Sequence, residues 1–150
     1  MRVRKSRLFS VIALACFVLL TACAARQPSA SAEPSRPLAG VEWKLVQVGD
    51  APASGSSPDE RAPFVQFDEQ GQANGYSAVN NFSGTYVSDG SGLKFGPMIM
   101  TRRAGPPAAM ALESSLVNAL GNTRGYRIAG NTLELLDAGN KPLARFEAAR

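Results

Sequence analysis

From Leu38 onward the sequence predicts a mainly β domain, a curled and barrel-like antiparallel meander with one inserted α-helix. Three observations carry that prediction. Apolar residues recur with period two in short runs; Gly, Asn, Asp and Ser clusters separate the runs; and one segment alone, beginning at Pro107, changes to helical spacing.

Val41 to Val48 alternates as a strand, with Val41, Trp43 and Leu45 on one face. Gly49 to Pro63, rich in Gly, Ser, Pro and Asp, reads as a loop leading to a second strand over Phe64 to Asp68. Glu69-Gln70-Gly71 turns the chain into Gln72 to Ser77. A further strand runs from Phe82 to Ser88, and Asp89-Gly90-Ser91-Gly92 turns into Leu93-Lys94-Phe95. Because Gly90-Ser91-Gly92 joins two strands and opens no helix, it is read as a turn and not a phosphate cradle.

Pro107 suits a first helical turn, Ala109, Leu112, Leu116, Ala119 and Leu120 form a stripe, and Gly121 stands where a C-terminal cap is expected. Period two then returns: Tyr126 and Ile128, a turn at Ala129-Gly130-Asn131, Leu133 and Leu135, a turn at Asp137 to Asn140, and a last strand ending near Phe146. A sheet of this kind hides its apolar face by curling or by cover, and the helix is the expected cover or plug. Glu113 is placed opposite the apolar stripe, and Glu134 on the strand face away from Leu133 and Leu135. Each is expected to be solvated, as are the acidic pairs Asp59-Glu60 and Asp68-Glu69, whose spacing matches no calcium loop.

Residues 1–22 read as an export leader. Arg2, Arg4, Lys5 and Arg7 are followed by an apolar run from Leu8 to Leu20, shorter than the roughly 18 to 20 residues of a spanning helix. Leu20-Thr21-Ala22-Cys23 resembles the lipobox of bacterial lipoproteins, which makes Cys23 the lipidated first residue of the mature chain. An ordinary signal peptidase cut after Ala24 is the alternative, but the Leu three positions before Cys23 has meaning only for a lipobox. Each buried methylene contributes about 0.8 kcal/mol, so two or three palmitate-like chains would hold the protein to the membrane almost irreversibly. Ala24 in place of Asp directs Gram-negative lipoproteins to the outer membrane, so an outer-membrane protein facing the periplasm is expected if the source is Gram-negative. Residues 23–37, rich in Ala, Ser and Pro, read as a tether, and residues 38–150 as the domain.

The four basic residues of the leader account for the whole formal charge of +4, so the chain from Cys23 onward is neutral. That excludes a basic nucleic-acid binder. Cys16 leaves with the leader and Cys23 is taken by lipid, so the domain keeps no thiol. Histidine is absent, which removes Ser-His-Asp and Cys-His nucleophiles and the usual His and Cys zinc sites. No catalytic residue, metal or cofactor is expected.

Leu38-Ala39-Gly40-Val41-Glu42-Trp43-Lys44-Leu45, then Asn80-Asn81-Phe82-Ser83-Gly84-Thr85-Tyr86, Leu93-Lys94-Phe95-Gly96-Pro97, Thr101-Arg102, Met110 and Thr132-Leu133-Glu134-Leu135-Leu136 follow one another in an order that resembles the META domain, the family of HslJ-like heat-shock lipoproteins. The resemblance covers nearly all of Leu38 to Phe146. It implies a small barrel-like antiparallel sheet with one helix, placed in the bacterial envelope, and brings no catalytic residues. Within the central motif Phe82, Gly84 and Tyr86 share a strand face, the Gly allowing close approach of another element, while Asn80 and Asn81 suit a preceding turn through local backbone bonds. The motif is read as structural.

Members commonly carry Cys where this chain has Val79 and Gly105. If those thiols pair elsewhere in the family, this chain has exchanged a cross-link for packing. Arg103 stands where Met is common and pairs with Arg102 beside a Gly-Pro-Pro turn. Such a pair suits an anionic headgroup or acidic partner, but on a strand adjacent residues face opposite ways, so one solvated Arg and one structural or interface Arg is the plainer expectation. Together these readings predict a noncatalytic envelope lipoprotein that binds or steadies another envelope protein, in envelope stress among other settings. The alternative is a carrier of lipid or another apolar molecule inside the curled sheet.

Overall fold

The computed structural model describes residues 35–53 and 61–149. Cys23, the leader, the Asp59-Glu60 pair and the tether up to residue 34 lie outside the described residues. Among the described residues nine strands and one helix follow in order: β1 (Glu42–Val48), β2 (Ala51–Pro52), β3 (Phe64–Phe67), β4 (Gln72–Tyr76), β5 (Asn81–Asp89), β6 (Gly92–Met100), α1 (Pro107–Asn122), β7 (Gly125–Ala129), β8 (Thr132–Leu136) and β9 (Pro142–Ala148).

Each of β3 to β8 pairs antiparallel with the next strand, β1 pairs with β3, and β2 is a two-residue edge on β1. A further antiparallel pairing of β1 with β9, from Trp43 opposite Ala148 to Val48 opposite Ala144, closes the sheet into a ring. The expected meander with one helix is therefore present.

Alternation along each strand sends one set of side chains inward. Trp43, Val65, Gly75, Phe82 and Met100 lie opposite one another across successive strands, and Phe67, Ala73, Gly84 and Met98 form the neighbouring inner row. Trp43, Phe146, Leu133, Leu135 and Leu120 are completely buried. The indole N–H of Trp43 donates to the Leu38 carbonyl at 3.0 Å, so the largest buried side chain also has its polar atom satisfied. A Cβ on Gly75 would lie 2.2 Å from the Phe64 carbonyl oxygen and 2.3 Å from Phe82 Cζ, so only glycine lets the Phe82 ring cross this strand.

The ring is thinnest between β6 and β7. These strands share one opposed pair, Gly92 and Gly125, reinforced by Tyr126 N–H to the Ser91 carbonyl at 2.9 Å and Leu93 N–H to that of Arg124 at 3.2 Å. The chain linking them holds α1, which buries Leu116, Ala119 and Leu120 against the core.

Several local expectations need correction. The segment from Gly49 to Pro63 contains β2, because Gln47 and Val48 find partners in Pro52 and Ala51. β6 continues past Phe95 to Met100, since β5 supplies partners along that length. Gly121 does not cap α1: the helix continues to Asn122 and leaves through Thr123 in extended geometry, with the Thr123 hydroxyl donating to the Ala119 carbonyl at 2.8 Å. An extended exit has no use for a left-handed glycine.

Candidate functional site

Asn80 joins three parts of the molecule. It ends the turn between β4 and β5, and its side-chain oxygen accepts from the Thr101 hydroxyl at 2.8 Å and from Arg103 N–H at 2.7 Å. Its side-chain nitrogen donates to the Arg103 carbonyl at 3.2 Å and to Glu113 Oε1 at 2.8 Å. One amide thus satisfies both backbone groups of Arg103, as a neighbouring strand would, and holds Thr101 to Arg103 alongside the end of β5.

Glu113 of α1 sits under the same turn. Its Oε2 accepts from the Ser77 hydroxyl at 2.7 Å and from Asn80 N–H at 2.8 Å. Burial pushes the Glu113 carboxyl up, but the Ser77 hydroxyl, the Asn80 amide and the backbone N–H groups of Asn80 and Val79 outweigh it and hold the carboxyl below its ordinary range. The turn over this carboxylate contains Ala78 at φ 94°, a conformation that costs an L residue of order 1–3 kcal/mol. Tyr76 OH fixes it from outside by donating to the Ala78 carbonyl at 2.6 Å.

Two expectations about this region fail. Glu113 is 8 % exposed, not solvated, because it stands four residues after Ala109 and three before Leu116 and so shares their face of the helix. Asn80 does not bond its local turn backbone through its side chain; its partners lie 21, 23 and 33 residues away. The left-handed turn residue is Ala78, not either Asn.

The other motif residues are dispersed around the inner face. Phe82 is buried on Gly75, and Tyr86 meets Phe67 edge-on at 5.0 Å and donates its hydroxyl to the Asp68 carbonyl at 2.6 Å. At Gly84 a Cβ would lie 2.8 Å from the Pro97 carbonyl oxygen, where the β5–β6 register shifts. Asp68 is partly covered and accepts Gln70 and Gln72 N–H at 2.9 and 2.7 Å, making it a turn brace. Val79 and Gly105 face each other: a Cβ on Gly105 would stand 3.5 Å from Val79 Cβ and 2.8 Å from its Cγ2.

Beside the Asn80 network opens a groove of about 760 Å³, bounded by Met98 to Ala104 on one side and Met110 of α1 on the other. Arg102 and Arg103 lie on its rim. Both follow the end of β6 and both are exposed, so neither guanidinium is structural within the domain; what is structural at Arg103 is its backbone.

Glu134 corrects the remaining solvent-exposed assignment. It does face away from Leu133 and Leu135, yet is 9 % exposed because Arg127 on β7 and Arg145 on β9 stand directly opposite it and cover it. Arg127 Nε donates to Oε2 at 3.0 Å and Arg145 Nη2 to Oε1 at 2.9 Å. Burial pushes this carboxyl up too, and the two guanidinium groups overcome it and hold it below its ordinary range.

Among the described residues no group of three or more His, Cys, Asp or Glu is placed to hold a metal ion, and no helix is long and apolar enough to cross a membrane. No curated protein matches the chain. Three solved structures share the fold. An NMR structure of a protein is 23% identical over 73% of this chain and 90% of its own, with TM-score 0.58. A crystal structure of a DUF4847 family protein from Bacteroides vulgatus ATCC 8482 is 19% identical over 73% and 93%, with TM-score 0.54. An NMR structure of a protein from Burkholderia xenovorans is 20% identical over 83% and 97%, with TM-score 0.55. The META domain profile matches residues 36–150, and the chain belongs to the META domain family.

Proposed function

We propose that the protein is a noncatalytic binding module, anchored in the cell envelope through lipidated Cys23, whose META domain holds another envelope protein. The observation that carries this reading is the closure of the Asn80–Glu113 network. Both Glu113 oxygens and all four hydrogen-bonding positions of the Asn80 side chain are committed to partners inside the protein. A general acid or base needs a titratable group near neutrality that reaches its substrate. Glu113 is ionised well below that range and is covered.

The carrier alternative finds less support in the position it was given. The inside of the ring is occupied by Trp43, Phe67, Phe82, Leu133 and Phe146, each almost wholly buried. The open apolar surface lies in the groove between the end of β6 and α1, where Met98 and Met100, partly buried against the core, meet Met110.

Cross-linking the full-length chain in its own cells, purifying it from membranes and identifying what is attached tests the proposal, with Cys23→Ser as the unanchored control. A stoichiometric envelope protein that is lost in the control is the expected result. Lipid alone, with no protein above background, would favour the carrier; hydrolytic activity abolished by Glu113→Gln at unchanged fold would refute the noncatalytic reading.

A further inference from the structure

We propose that the outer edge of β6, from Met98 to Arg102, receives an extended acidic segment of a partner protein by strand addition. This deepens the binding-module reading and rests on it. The direction of the edge follows from register. Thr101 N–H donates to the Asn81 carbonyl at 3.1 Å, the Thr101 hydroxyl accepts Asn81 N–H at 3.2 Å, and Ile99 opposes Ser83, so Ile99 and the Thr101 N–H are turned toward β5. Backbone groups alternate along a strand, so the N–H and C=O of Met98 and Met100 point away from β5. Arg103 turns its own N–H and C=O to the Asn80 amide, which leaves those of Arg102 on the outer side with Met98 and Met100. Among the described residues no strand pairs with β6 on that side beyond Gly92. The Asn80–Glu113 network thus holds Thr101 to Arg103 alongside the end of β5 and carries the free edge on to Arg102.

Three features select the occupant. An added strand needs somewhere to put alternate side chains. The groove supplies that place, with the adaptable side chains of Met98, Met100 and Met110 along it. Ile99, 81 % exposed on the opposite face, gives the added strand an apolar cross-strand neighbour. The charge is one-signed: neither Arg102 nor Arg103 meets a carboxylate among the described residues, and the carboxylate bordering the groove, Glu113, has its oxygens occupied. An acidic segment complements this rim. A second copy of β6 would bring Lys94, Arg102 and Arg103 against the same residues, and an acyl chain would leave the Met98 and Met100 backbone groups unpaired.

Selection of a phage-displayed library of random peptides on the full-length chain in detergent supplies the probe, and a synthetic copy of the enriched peptide is then bound to the same chain. The expected peptide alternates apolar and acidic residues and slows amide exchange at Met98 and Met100 by at least about tenfold, the factor that corresponds to 1.4 kcal/mol. Binding should fall by a similar factor or more in the Arg102→Glu, Arg103→Glu double variant, which changes only exposed side chains. It should also fall in Met100→Pro, which removes one outward N–H and leaves the β5 pairing in place. No enriched peptide, binding that survives both variants, or a dimer of the chain that Met100→Pro dissociates would overturn the proposal. A protein captured in cells that survives both variants overturns strand addition while the binding-module reading stands; no captured protein at all removes both.

Discussion

Glu113 and Glu134 are buried to nearly the same degree, 8 % and 9 % exposed, and both carboxyls are held below their ordinary range, yet by opposite means. Glu113 lies beneath a turn and is satisfied by neutral donors: a hydroxyl, an amide and backbone N–H groups. Glu134 lies on the outside of the sheet and is satisfied by Arg127 and Arg145, whose side chains are 61 % and 48 % exposed. Neutral donors fixed in a turn are not screened by salt and are held in place by the fold. Exposed guanidinium groups have water as an alternative. The first arrangement therefore fixes backbone, while the second decorates a sheet that is already paired along Arg127, Glu134 and Arg145.

The most severe way to break the inner arrangement is Asn80→Asp, which sets a second carboxylate against Glu113 Oε1. A buried like-charge contact with an orphaned acceptor should cost about 3–5 kcal/mol in urea unfolding, or force one carboxyl to stay protonated at neutral pH. A loss below 1 kcal/mol would mean that water reaches the pair.

Next in size is a gain. Val79→Cys with Gly105→Cys places two Cβ atoms about 3.5 Å apart, inside disulfide range, across the segments that Asn80 joins. The oxidised double variant should show no free thiol at these positions and gain about 2–4 kcal/mol over its reduced form. Free thiols after mild oxidation would show that the two segments are not held face to face.

Acid separates the two carboxylates through their variants. Each folded-state value is lowered, so the stability each supplies is complete above the ordinary 4.5 and drains as pH falls through the folded value. Glu113→Gln should flatten the loss of stability below pH 4.5 without changing its salt dependence, whereas Glu134→Gln should flatten it and remove a salt-sensitive part. At neutral pH Glu134→Gln should cost about 1 kcal/mol or less, because its partners are half in solvent.

The smallest effect is expected at the groove rim. Arg102→Glu and Arg103→Glu should each move stability by less than about 0.5 kcal/mol, since both side chains are exposed and unpaired among the described residues. A larger loss at Arg103 would place its side chain, and not its backbone alone, in the Asn80 arrangement.

Much of the fold was legible because its signals are local. Alternation marks Trp43 and Leu45, Leu133 and Leu135, and the turn glycines Gly71, Gly90 and Gly130 all take the left-handed backbone their turns require. Closure of β1 on β9 carries no local signal, because it depends on a register between residues about a hundred positions apart. The site follows the same division. Glu113 was readable from its spacing to Ala109 and Leu116, and only the prior that carboxylates face water hid it. Asn80 reads as a turn residue because short amides bond nearby backbone so often; its actual partners are distant and appear only once β6 and α1 converge. For Glu134 the pattern placed it on the correct face, but the two arginines opposite it are neighbours through strand pairing alone.

The claim that the carboxylate under the β4–β5 turn is committed to structure and not to chemistry is tested most directly by a double-mutant cycle on Asn80→Ala and Glu113→Gln, read by urea unfolding of the full-length chain. Coupling of about 2 kcal/mol or more is predicted, since each residue satisfies the other and the second loss should cost little after the first. Additivity within about 0.5 kcal/mol, with both variants folded, would contradict it and leave Glu113 free for another role.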